Sequence, residues 1–269
     1  MPRIDYLSSP ANPLLKEIRR AVARGDMVNG GLWIAEGFHL LEEAMKSKVP
    51  VPFVLASEPV QASVVRLVSG RDDVRILILP DPLFQSVAPT ESTQGVMALV
   101  QPPEWELEDL LQHRVLLVIL DRLQDPGNAG AVMRVAEAFQ ATGVAFMKGS
   151  VSPWNPKALR ASAGSSFRMP FVDGLEPSDI EAALRDHKLD LWAATPWNPG
   201  ALEAAQADFT RPAAIVIGSE GQGISDAIHA IARGVAIPTS GVESLNAATA
   251  AAVLLYEACR QRGMGASSV

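Results

Sequence analysis

The sequence predicts an α/β fold, with a small N-terminal α/β unit and a larger C-terminal domain built on a parallel sheet. Three observations carry that expectation. Short apolar strands alternate with helical segments along most of the chain, the pattern of repeated βα units. The stretch from Gln101 to Asp109 sets Pro102 beside Pro103 among acidic residues, which marks a domain boundary. Past that break, three apolar strands run into loops dense in polar residues, where open parallel sheets hold their ligands. The expected division is 1–103 and 112–269.

In the first part, Asn12 and Pro13 form a helix start, cap followed by first helical residue. Leu14, Leu15, Ile18 and Val22 share one face of that helix. Lys16, Arg20 and Arg24 recur every four residues on another, with Arg19 beside them, and Gly25 stops the helix. Such a face is either simply solvated or contacts phosphates. Strands are expected at Leu32–Glu36, Val51–Ala56, Val74–Leu79 and Val96–Val100, with helices at Phe38–Lys46 and Val60–Val68 and a short helical turn from Asp81.

The second part opens with the buried strand Val115–Leu120 and the loop Asp121 to Asn128. A helix follows from Ala129 to about Ala141, with Asn128 as its N-cap. Further strands are expected at Val144–Phe146, Met169–Val172, Leu191–Ala194, Ala213–Ile217 and Val235–Ile237. Helices are expected near Lys157–Ala163, at Asp179–His187 and from about Ile224. A long alanine-rich helix opens at Ser244-Leu245-Asn246. The tail after Gly263 is expected to fray.

Composition narrows the function. Of 269 residues, 48% are hydrophobic and 20% charged, a globular balance. No run reaches the ~18 apolar residues of a membrane helix, and the first residues lack a signal-peptide core. Cys259 is the only cysteine, so no internal disulfide is available and a reducing cytoplasm fits. The four histidines are scattered without metal-ligand spacing. The net charge of −7 runs against the basic footprint of a nucleic-acid binder. Its distribution softens that: residues 1–100 hold ten Lys/Arg against eleven Asp/Glu, and 101–269 hold thirteen against nineteen.

Chemistry is expected in three loops. The first carries Asp125 and Asn128, with Arg134 further along an otherwise small, apolar helix. An arginine turned inward there needs an anionic partner; one turned outward simply faces water. The second is Gly218-Ser219-Glu220-Gly221-Gln222-Gly223, neither a Walker motif nor the dinucleotide fingerprint. It is a tight turn or a place where a ligand touches backbone. The third is Ser244-Leu245-Asn246. Neither a nucleophile elbow, a Cys/His pair nor a zinc or kinase signature competes with them.

Together the three loops resemble the ordered motifs of the SpoU (TrmH) family of RNA ribose methyltransferases, in the SPOUT superfamily. The likeness rests on Asp125-Pro126-Gly127-Asn128-Ala129-Gly130 with Arg134, then Ile217 to Ser225, then Ile237-Pro238 with Ser244 to Ala248. It covers roughly 115–262. Ser219, Ala247 and Ala248 depart mildly from the family pattern. More loosely, Asn12-Pro13 with Lys16, Glu36-Gly37 and Thr93-Gln94-Gly95 resemble the family's substrate-binding domain, similar to ribosomal protein L30e.

The resemblance implies a deep trefoil knot at the C-terminus, an exception among folds, a homodimer, and S-adenosylmethionine held in the knot. The implied cofactor contacts are Thr195, Pro196, Gly218, Glu220, Gly223, Ile237, Leu245 and Ala247. The implied reaction is methyl transfer to a ribose 2′-hydroxyl of RNA, ribosomal RNA being favoured, with no metal and no membrane. Arg134 would activate the hydroxyl. A guanidinium with a pKa above ~12 is a poor base, so Arg134 is expected to grip a backbone phosphate as well. Asn128, Glu220, Ser244 and Asn246 would position the groups, and Lys16, Arg19, Arg20 and Arg24 would meet RNA. The rival readings are a methyltransferase acting on tRNA or on a base, and a catalytically inert RNA-binding protein on the same fold.

Overall fold

The structure, a computed structural model, describes residues 2–28 and 30–263; the tail after Gly263 lies outside them. The chain divides into two compact units.

The first unit contains β1 (Arg3–Tyr6), α1 (Pro13–Arg24), β2 (Trp33–Glu36), α2 (Phe38–Lys46), β3 (Phe53–Ser57), α3 (Gln61–Leu67), β4 (Arg75–Leu79), α4 (Asp81–Gln85) and β5 (Val96–Val100). Its sheet runs β1-β4-β3-β5-β2, with β5 antiparallel to both neighbours. The start of α1 follows the sequence: Asn12 Oδ1 accepts from Leu14 N at 3.0 Å, and Pro13 takes the first turn. Gly25 ends it at φ +64°, a conformation that suits glycine. Leu15, Ile18 and Ala21 bury that helix against Ile34, Leu55, Leu77 and Leu99. Strand β1 was not expected from sequence. It is a four-residue edge strand whose residues are mostly exposed, so its polar composition hides it.

The second unit contains α5 (Leu107–Leu110), β6 (Leu116–Asp121), α6 (Pro126–Ala138) and β7 (Gly143–Met147). After α7 (Pro156–Ser162) come β8 (Phe171–Leu175), α8 (Pro177–His187), β9 (Asp190–Ala194), β10 (Leu202–Glu203), β11 (Ala213–Gly218), α9 (Asp226–His229), β12 (Arg233–Ala236) and α10 (Ala247–Gln261). Its seven strands run β10-β12-β9-β11-β6-β7-β8, all parallel. Strands β6 and β11 are buried along nearly their whole length, as a sheet covered on both faces requires. Residues 154–168, including α7, group with the first unit. There Arg160 Nη1 donates to the buried Glu36 Oε2 at 3.1 Å, and Arg168 Nη1 to Glu43 Oε2 at 2.8 Å.

One expectation near the site is corrected. Helix α6 begins at Pro126, not Ala129, and its N-cap is Asp125, whose Oδ1 accepts from Asn128 N at 2.7 Å. Proline at the first position lacks the N–H that a cap would need to satisfy. Asn128 therefore sits inside the first turn, and its side chain is free for other work.

Candidate active site

Three side chains from the three loops meet in the second unit. Asn128 Nδ2 donates to Glu220 Oε1 at 2.8 Å. Asn246 Nδ2 donates to the same oxygen at 2.8 Å and to Asn128 Oδ1 at 2.9 Å. Asn246 is also the N-cap of α10, its Oδ1 accepting from Ala248 N at 3.0 Å and Thr249 N at 3.3 Å. The cap fixes the amide's orientation: the oxygen faces the helix, so the NH₂ faces the other two residues. Only a side chain with both a donor and an acceptor can do this. The second oxygen of Glu220 has no hydrogen-bond partner among the described residues, so it remains an acceptor open to a ligand.

The backbone below this trio explains two glycines without a ligand. Ser219 and Gly223 exchange backbone hydrogen bonds at 3.1 and 2.9 Å. A Cβ on Gly218 would lie 2.5 Å from the Gly223 carbonyl carbon and oxygen, and Gly223 itself has φ +65°. The loop is a tight turn that carries Glu220. At its far end, Asp121 at the end of β6 is 1% exposed, and its Oδ2 accepts from Ser225 N at 2.6 Å. Asp121 was not singled out from sequence. The available signal was a carboxylate closing an unbroken apolar strand, since such a group is buried only with partners.

Beside the trio lies a cleft of about 430 Å³ lined by Thr195, Pro196, Ile237, Glu243, Ser244 and Leu245, with Ala194, Val235, Thr239, Ala250 and Leu254. Of the expected cofactor contacts, the cleft gathers Thr195, Pro196, Ile237 and Leu245, and also Ser244, expected as a catalytic residue. Gly218, Glu220, Gly223 and Ala247 do not line it. Glu243 is an addition that sequence reasoning missed. The segment 243–246 links the two places, with Ser244 and Leu245 in the cleft and Asn246 in the trio. Thr195 Oγ1 is buried with no hydrogen-bond partner among the described residues, and a buried hydroxyl of that kind calls for one.

Arg134 is exposed on α6 and has no hydrogen-bond or ion-pair partner among the described residues. The outward alternative describes it. In the first unit, Lys16, Arg20 and Arg24 are exposed on α1, as the four-residue spacing requires. Arg19 is half-buried and donates to Pro10 O at 3.0 Å and Ser86 Oγ at 3.2 Å. Among the described residues no group of three or more His, Cys, Asp or Glu is placed to hold a metal ion. None of the described helices is long and apolar enough to cross a membrane.

Residues 115–256 match the model of the SpoU rRNA Methylase family. The chain belongs to that family. Residues 12–98 match the MRM3-like substrate binding domain. A curated relative, an uncharacterized tRNA/rRNA methyltransferase of Synechocystis, is 33% identical over 96% of this chain and 95% of its own. The 23S rRNA (guanosine(2553)-2'-O)-methyltransferase RlmP of Bacillus subtilis is 29% identical over 94% of this chain and 98% of its own. Among solved structures, the SpoU methyltransferase AviRb from Streptomyces viridochromogenes, in complex with the cofactor AdoMet, superposes with a TM-score of 0.83 at 27% identity. That match covers 94% of this chain and 99% of AviRb.

Proposed function

We propose that this SpoU family protein transfers the methyl group of S-adenosylmethionine to a ribose 2′-hydroxyl of ribosomal RNA. The observation that carries the reading is the Asn128–Glu220–Asn246 trio, joined through Ser244 and Leu245 to the cleft at Thr195.

The lining of the cleft suits the cofactor. Thr195 Oγ1 is a buried group lacking a partner among the described residues. Glu243 supplies a carboxylate at its wall, which complements a cationic ligand. Thr195, Pro196, Ile237, Ser244 and Leu245 would hold the cofactor. When bound, S-adenosylmethionine supplies an electrophilic methyl whose carbon–sulfur electron pair stays on sulfur after transfer. The chain supplies position and proton handling. The free oxygen of Glu220 can accept from a ribose hydroxyl, and the two asparagines fix that carboxylate in place. Arg134 has all its donors uncommitted, as activation of the hydroxyl and a grip on its neighbouring phosphate require. The oxygen–carbon bond forms as the hydroxyl proton leaves, so alignment of the two reacting atoms carries much of the rate.

Several finer features belong to the same reading. Residues 1–103 form the RNA-binding part, with the exposed cations Lys16, Arg20 and Arg24 of α1 as its phosphate contacts. Arg19 is the least available of the four. The active form is a homodimer. Tyr256 and Val253 support this: they are 57% and 38% exposed on α10, where Tyr256 packs edge-on to Phe139, the residue after α6, at 5.9 Å between ring centroids. The alanine-rich start of α10 fits the close chain crossing of a trefoil knot, and the site of action is the cytoplasm.

The deciding experiment is Arg134→Ala, assayed with ribosomal RNA isolated from cells lacking the gene. Methylation should fall by more than about 1,000-fold, with the affinity for S-adenosylmethionine kept within about threefold. An active variant removes Arg134 from the chemistry. A wild-type protein that binds no S-adenosylmethionine in calorimetry favours the inert RNA-binding alternative.

A further inference from the structure

A second, larger cleft opens on the other side of Glu220. It is open to solvent and lined by Arg122, Leu123, Gln124, Asp125, Gly149 and the segment Ser219 to Gln222. Its charges are unevenly committed. Asp125 caps α6, and Glu220 accepts two amide donors. Arg122 is the one cation among the lining residues, and it makes no hydrogen bond to a described residue. Its Nε is buried without a hydrogen-bond partner. It forms a loose ion pair with the buried Asp121, whose Oδ1 is 3.7 Å from Nε, beyond hydrogen-bond reach, while the other oxygen of Asp121 is held by Ser225 N.

The arginine is also held in place at some conformational expense. Its backbone has φ +54°, the left-handed region that side chains other than Gly, Asn and Asp rarely adopt. Its stem lies against Gly149, where an added Cβ would meet Arg122 Cγ at 3.4 Å. A long cation with a fixed stem, 37% side-chain exposure and donors unspent, placed beside two carboxylates, suits a planar anion with several acceptors.

We infer that Arg122 holds a phosphodiester of the RNA strand that carries the target ribose, so that the strand runs through this cleft past Glu220. The inference rests on the methyltransferase reading and deepens it. Arg122 sets how RNA is held, and Arg134 what happens to the hydroxyl. Without Arg122, the two carboxylates would face the strand with no compensating charge.

The test uses Arg122→Asn and Arg122→Lys in the full-length protein. Asparagine tolerates the left-handed backbone, so a loss of function in that variant does not follow from misfolding, and its thermal unfolding should match wild type. Affinity for unmethylated ribosomal RNA is measured by fluorescence anisotropy from 50 to 400 mM KCl, with kcat and KM for methylation alongside (the salt range is about what a slope requires). Arg122→Asn should weaken RNA binding about tenfold at low salt. It should also reduce the slope of log affinity against log salt by about 0.7, the value for one contact to a single strand. KM for RNA should rise more than kcat falls, and Arg122→Lys should recover most of the affinity and the slope. An unchanged slope overturns the inference, even if affinity falls, because a contact to a base edge would lower affinity without releasing a counterion. Wild-type protein that binds RNA but transfers no methyl sinks the enzymatic reading instead, and that outcome is visible before any variant is made.

Discussion

The two ends of helix α10 do opposite kinds of work with the same chemistry. At its start, Asn246 is exposed and spends its hydrogen bonds on two side chains and its own helix. At its end, Arg262 is 6% exposed and spends its donors on backbone. Arg262 Nε donates to Phe209 O at 2.7 Å, Nη1 to Arg114 O at 2.7 Å, and Nη2 to Val115 O and Arg211 O, both at 2.8 Å. Burial pushes its pKa below the ordinary value, with Arg114 adding repulsion. Its neighbour Gln261 holds Phe209 N and Ala207 O. The residues so gripped lead into β6 and β11. The far ends of those two strands carry Asn128 and Glu220, which Asn246 touches.

The lengths match. Fifteen helical residues span about 22 Å, and six strand residues about 20 Å. One helix thus clamps two parallel strands at their beginnings and meets their loops at their ends. The difference teaches that an arginine's role here is set by what is left for it to bind. Arg262 makes four hydrogen bonds to backbone carbonyls and is structural; Arg134 and Arg122 make none to a described residue.

The largest effect is expected at the buried end. Arg262→Met keeps the apolar stem and leaves buried carbonyls without their donor. It should lower stability by about 3 kcal/mol, seen as a fall of about 10 °C in the unfolding transition of the second unit. Activity at a temperature where the variant is folded should stay within a few-fold of wild type. A loss of activity without a loss of stability would make Arg262 part of the site. At the exposed end, Asn246→Asp keeps the capping oxygen but removes both donors and sets a carboxylate beside Glu220. Methylation should drop about 100-fold, while thermal stability changes by no more than about 1 kcal/mol. An active Asn246→Asp would show that the trio is only a cap. The smallest effect is the coupling inside the trio. Asn128→Ala and Asn246→Ala, measured singly and together, should be non-additive by about 1 kcal/mol in transition-state stabilisation; additive losses would mean that the two asparagines act separately.

Much of this was legible in the chain. The apolar run before Asp121 and the one before Gly218 are buried parallel strands because their residues are apolar on both faces. Asn12-Pro13 and Gly25 fixed the ends of α1 by local backbone chemistry alone. The glycine turn around Glu220 is open to two readings in the sequence, and the structure gives a backbone reason for one of its glycines: the chain fills the space beside Gly218. The cap of α6 was misplaced by three residues, because Asp125 and Asn128 are both good caps and only the position of Pro126 decides between them.

Local chemistry sets which segments are strands, where helices begin, and which residue types stand in the three loops. Those follow from steric and hydrogen-bonding preferences that act over a few residues. Only the tertiary structure decided that one oxygen of Glu220 takes two amides from positions 92 and 26 residues away. It also decided that Arg262 reaches back 148 residues to Arg114, and that Arg122 has only a loose ion pair, with Asp121 at 3.7 Å. A side chain's partners depend on which strands lie side by side, and that order is set by the packing of the whole sheet.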